Sequence, residues 1–99
     1  MRLQFVNARL DETDEGLGCI EALASIRAPQ APQARAELDE LLAWAEAHAP
    51  GPRGPREEGG HWDAQLDLHS QGEWLELSLT VVGPLPWCEA LIQQFDLDN

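Results

Sequence analysis

There is no lysine in this 99-residue chain. Its six basic residues are all arginine, set against 18 acidic ones, for a formal net charge of −12. Such a polyanion repels nucleic-acid backbones and anionic membrane surfaces, so direct recognition of either is not expected. It attracts basic proteins and speeds their encounter. The competing reading is that the acidity serves solubility alone, in the Arg-, Ala-, Pro- and Gly-rich composition of a GC-rich coding sequence.

Cysteine is scarce as well. Cys19 and Cys88 are isolated, and neither belongs to a C-x-x-C pair, so zinc-ribbon and thioredoxin-type chemistry has no support. Both are expected to be buried, reduced and packed as small apolar groups. No apolar run approaches the ~20 residues of a membrane span. Met1–Asn7 contains no apolar stretch of signal-peptide length, and a cytoplasmic location is expected. The hydrophobic share of 43% is that of an ordinary folded chain. A length of this order makes residues 1–99 a single domain with one two-layer core.

Leu3 and Phe5 alternate with Arg2 and Gln4, so a first strand is expected over residues 1–8. Asp11, Glu12, Asp14 and Glu15 surround Thr13, and acidic residues favour a helix start. The spacing of Leu17, Ile20, Leu23 and Ile26 then predicts a helix to about Arg27, although Gly16 and Gly18 weaken its first turn. Pro29 and Pro32 break the chain. A second amphipathic helix is expected over residues 32–48, with Leu38, Leu41, Leu42 and Ala45 as its apolar face and Trp44 beside it. The stretch 50–60 holds three prolines and four glycines, which excludes a regular element and predicts a flexible loop. Its GPRGP core lacks the spacing and the lysine of a phosphate-binding loop. A third helix is expected over 86–95, burying Trp87, Cys88, Leu91, Ile92 and Phe95.

Two period-two runs, His61–His69 and Trp74–Val82, predict a β-hairpin. If Gln71-Gly72 forms the turn, Leu68 faces Leu75, Leu66 faces Leu77, Ala64 faces Leu79 and Trp62 faces Val81. The opposite face then carries Asp63, Asp67 and His69 together with Trp74 and Glu76. In this register Asp67 lies directly across from Glu76, an unfavourable pairing of like charges. The expected fold class is α+β: a two-layer, three-stranded antiparallel sheet with helices packed on one face, in the order β-α-α-β-β-α. A strand order of 1-3-2 brings Arg2 beside Glu76, where it offsets the conflict.

The polar face invites a metal reading, since imidazole and carboxylate suit zinc, manganese or iron. Strand geometry removes most of it. His61 and His69 are separated by ~27 Å along a strand and cannot share an ion. No metal ligand or cofactor is therefore assigned. Ser25, Ser70 and Ser78 lie in no nucleophile motif, neither cysteine sits in a catalytic one, and no catalytic residue is expected. What remains is a protein-binding surface. Asp63, Asp67, His69, Trp74 and Glu76 form a candidate site for a basic protein partner, in an inhibitor- or adaptor-type domain that is monomeric or dimeric. The alternatives are a metal-binding or accessory domain, or a protein whose acidity is only for solubility.

Overall fold

Ile20, Ala22, Ala24 and Ile26 alternate with Glu21, Leu23, Ser25 and Arg27. In the computed structural model, which describes residues 3–13 and 15–97, this alternation prevails over the helical spacing. Residues 9–27 form most of a hairpin, not a helix. Strand β1 spans Asn7–Glu12 and strand β2 spans Leu17–Arg27. The even-numbered side chains of β2 from Ile20 to Ile26 are buried, whereas Leu23, assigned to the core by the helical spacing, is 40% exposed. The sheet reading wins because Gly16 and Gly18 are poor helix starters and because a strand buries both isoleucines with both alanines on one side. Asp11 and Glu12, expected to start a helix, end strand β1 instead, and Thr13 N–H donates to Leu17 O at 2.8 Å to close the hairpin.

Helix α1 follows at Ala31–Ala47, after a single 3-10 turn at Ala28–Gln30. Pro32 sits in its first turn, where a missing N–H costs nothing. Ala34, Leu38, Leu41 and Ala45 are its buried stripe. Strand β3 (Asp63–Gln71), strand β4 (Trp74–Pro84) and helix α2 (Leu85–Gln94) complete the chain. All five inner residues expected of the last helix, Trp87, Cys88, Leu91, Ile92 and Phe95, are buried.

The sheet therefore has four antiparallel strands in the order β1-β2-β4-β3. The expected three-stranded sheet is corrected, and so is the 1-3-2 order. Strand β2 pairs along all of β4, from Leu17 opposite Pro84 to Arg27 opposite Trp74. No room remains there for an N-terminal strand. Residues 3–6 precede the first strand, and Glu37 of α1 holds them. Its carboxylate accepts the backbone N–H groups of Gln4 and Phe5, both at 2.9 Å. Arg2, expected to offset Glu76, lies outside the described residues.

Both helices cover one face of the sheet. Ile20, Ala22, Ala24 and Ile26 of β2 meet Leu77, Leu79 and Val81 of β4 beneath them. Gly83 lets α2 come close, because a Cβ there would stand 2.5 Å from the Trp87 ring. Trp87 in turn lies against Trp62, with ring centroids 5.5 Å apart.

The β3–β4 turn is centred on Gly72-Glu73, with Gln71 opposite Trp74. Gly72 has φ +63, the conformation that a two-residue hairpin loop demands at its first position. A turn centred on Gln71-Gly72 would put glutamine there instead. The shift moves every facing pair by two residues, so each side chain keeps its face and changes its partner. Leu68 faces Leu77, Leu66 faces Leu79 and Ala64 faces Val81, while Trp62 precedes the strand. The expected Asp67–Glu76 opposition does not occur. Asp67 faces Ser78, and Glu76 faces His69.

Candidate functional site

The face of the sheet turned away from the helices is built by the odd-numbered residues of β1, β2 and β3 and the even-numbered ones of β4. Register fixes its rows. Asp11, Cys19, Val82 and Asp63 cross one end. Arg9, Glu21, Thr80 and Gln65 come next, then Asn7, Leu23, Ser78 and Asp67. Beyond the end of β1 lie Ser25, Glu76 and His69, and last Arg27, Trp74 and Gln71. The five sequence-predicted residues Asp63, Asp67, His69, Trp74 and Glu76 thus share one surface, but not one point. Glu76 and His69 are a facing pair with Trp74 in the adjacent row. Asp67 lies one row the other way, and Asp63 is at the far end.

Half of this surface comes from β1 and β2, which the helical reading of residues 9–27 concealed. The signal was present in the Glu21, Leu23, Ser25, Arg27 alternation. These strands add Asp11 and Glu21 to the carboxylates, and Arg9 and Arg27 as cations. Arg9 is engaged by Asp11 at 3.2 Å. Arg27 lies over the Trp74 ring, 5.2 Å from its centroid, a contact of cation–π type. Asp63 is taken by Arg53 at 3.3 Å. Among the described residues, Asp67 and Glu76 have no ion pair. Among the described residues, Asp67 accepts the Gln65 side-chain amide, at 3.2 and 3.3 Å. Trp74 remains 49% exposed. A hollow of about 250 Å³ lies beside it, bordered by Ser25, His69, Gln71, Leu75 and Glu76.

The loop 50–60 makes a second feature. His61 N–H donates to Pro52 O at 2.7 Å, and Gly54 N–H donates to Trp62 O at 2.8 Å. Arg53 ties the loop to the start of β3. Its guanidinium donates to the Ala64 carbonyl at 2.8 Å and lies 5.2 Å from the Trp62 ring centroid. The loop so held walls a cleft of about 490 Å³ at the Asp63–Val82 end of the sheet. Leu17, Pro50, Pro55, Trp62, Val82 and Pro84 give it an apolar lining, to which His61 adds an imidazole. Nothing in the sequence pattern marks this cleft, because its walls come from four separate stretches of chain.

Among the described residues no three His, Cys, Asp or Glu side chains converge as a metal site. Burial pushes the Cys19 thiol up, and the nearby Glu21 and Asp11 carboxylates push it further, against Arg9. Burial pushes Cys88 from about 9 to about 11. Neither is an activated thiolate at neutral pH. A thiol whose folded pKa lies above its unfolded one adds stability that is whole below about pH 9 and is lost as pH rises towards about 11. Cys19, on the open face, is expected to react with a thiol reagent at about pH 8 well before Cys88, which reacts only as the protein unfolds. Mass spectrometry of the partly modified protein reads this, and equal rates at both sites would contradict the burial of Cys88.

Among the described residues no helix is long and apolar enough to cross a membrane. Comparison with family models, with curated proteins and with solved structures finds no match to this chain.

Proposed function

We propose that this domain acts by binding and that it receives a basic protein on the open face of its sheet. One observation carries the reading. Glu76, in the row next to a half-exposed Trp74, and Asp67, one row further along, have no ion pairs among the described residues and lie on a sheet face that neither helix covers. A large aromatic ring beside desolvatable carboxylates is the composition of a binding hot spot for lysine or arginine. A second copy of the chain is a poor occupant of this face, because it would set carboxylate against carboxylate. The excess of 18 acidic over six basic residues steers a basic partner at long range.

Asp67→Ser combined with Glu76→Ser tests this. In capture from the protein's own lysate, the wild type is expected to retain a basic protein at low salt and release it at about 1 M salt. The double variant is expected to retain about tenfold less, because two charge-assisted contacts are removed. Glu40→Ser with Glu89→Ser removes the same charge from the helix layer, where both residues are exposed. That control is expected to bind like the wild type. Equal loss in the two double variants would reduce the effect to overall charge and defeat the assignment to this face.

A further inference from the structure

The cleft and the open face are one continuous surface. Asp63 and Val82 line the cleft. They also border the shallow groove that runs along β3 and β4 past Gln65, Asp67 and Thr80. At the cleft end the surface is apolar, and the one carboxylate in its lining, Asp63, is already held by Arg53. At the other end it offers Glu76 and Trp74. A ligand matching both ends carries a neutral apolar group at one end and positive charge further along. The cleft is larger than one aliphatic side chain fills, so an aromatic group or an apolar side chain with its backbone suits it.

Resting on the reading above, we propose that the cleft is the anchor pocket for an apolar side chain of the basic partner, which crosses the open face as an extended segment. Strand geometry then sets the partner's spacing. Asp67 lies four residues along β3 from the cleft mouth at Asp63, ~13 Å away. Glu76 lies six residues along β4 from Val82, ~20 Å away. An extended segment running along these strands has nearly the same rise per residue. It places basic side chains over the two carboxylates when they stand four and six places beyond the apolar anchor. Both offsets are even, so all three side chains point to the same side of the segment.

Synthetic peptides of about eight residues test the spacing directly. The parent peptide carries phenylalanine, arginine four and six places further on, and serine elsewhere. It is made in both chain directions, with blocked ends. One comparison peptide replaces phenylalanine by alanine. Another moves each arginine one place towards the phenylalanine and keeps the charge. Titrated against the full chain, the parent in one of its two directions is expected to bind about tenfold more tightly than either comparison. Leu17→Ser with Val82→Thr is expected to weaken the parent and leave the alanine peptide unchanged.

Equal affinity for all three peptides overturns the inference. If Asp67→Ser with Glu76→Ser then weakens all three alike, the binding face survives and only the anchor fails. If no peptide binds, or if binding ignores those two carboxylates, both the anchor and the face are overturned. Indole that occupies the cleft and resists displacement by the parent peptide would make the cleft a small-molecule site and also overturn the inference.

Discussion

Leu79→Ala is expected to cost about 3–5 kcal/mol of folding stability. Leu79 is 1% exposed and lies on the central strand β4, between Ala22 of β2 and Leu66 of β3. Truncation removes its transfer free energy and leaves a cavity. The site collapses poorly, because Ala22 is already small and because β4 is held by a strand on each side. For a domain of this size that loss is a large part of the total, and the melting temperature should fall by about 12–25 °C. Leu68 occupies the same face of the hairpin, and by alternation alone it is equivalent. It lies on the edge strand β3 and is 64% exposed. Leu68→Ala should therefore change stability by about 0.5 kcal/mol or less. Thermal unfolding followed by circular dichroism separates the two. Similar losses at both positions would mean that the helices do not cover the sheet as described.

Trp74→Ala is expected to have the largest effect on binding, with affinity for the basic partner falling about 30- to 1,000-fold, or ~2–4 kcal/mol. Among the described residues the ring is the only large aromatic on the open face, and the hollow beside it is bordered by Glu76, His69 and Gln71. With half its surface already in water, its removal should cost little folding stability. Arg27 sharpens the prediction. Its guanidinium covers part of the Trp74 ring and places a like charge where a basic partner arrives. Arg27→Gln should therefore strengthen binding a few-fold, opposite in sign to Trp74→Ala. Affinity measured for both variants by calorimetry decides this. Weaker binding by both would make Arg27 part of the recognition surface and not its competitor.

The parts of the fold legible in the sequence are those where a single periodicity was strong. The stripe of α1, the five buried residues of α2 and the faces of the β3–β4 hairpin all follow from spacing. Residues 9–27 were ambiguous because Ile20 and Ile26 fit a helical stripe and a strand equally well. The two fully buried alanines between them carry too little apolar signal to decide it. Tertiary pairing with β4 settled what local pattern left open. The hairpin register depended on one backbone angle, the positive φ of Gly72. Shifting the turn by one residue kept every residue on its face, so the candidate site residues stayed together. It also removed the Asp67–Glu76 opposition, and with it the need for a neutralising partner. Among the described residues, Asp67 and Glu76 have no ion pair because of where the arginines went, not because they face each other. Arg53 goes to Asp63, Arg9 to Asp11 and Arg27 to Trp74. Those choices depend on the four-stranded sheet and on the folded 50–60 loop, and neither was readable from local spacing.

The most direct test of the binding face is photo-crosslinking with a photoreactive side chain placed at one position at a time. Ser78 and Gln65 lie on the open face, and Glu40 lies exposed on the helix layer. With the protein in its own lysate at low salt, crosslinks from positions 78 and 65 to one basic protein are expected. They should disappear at about 1 M salt and be absent from position 40. Crosslinks that form from position 40 alone, or equally from all three positions, would contradict the binding face.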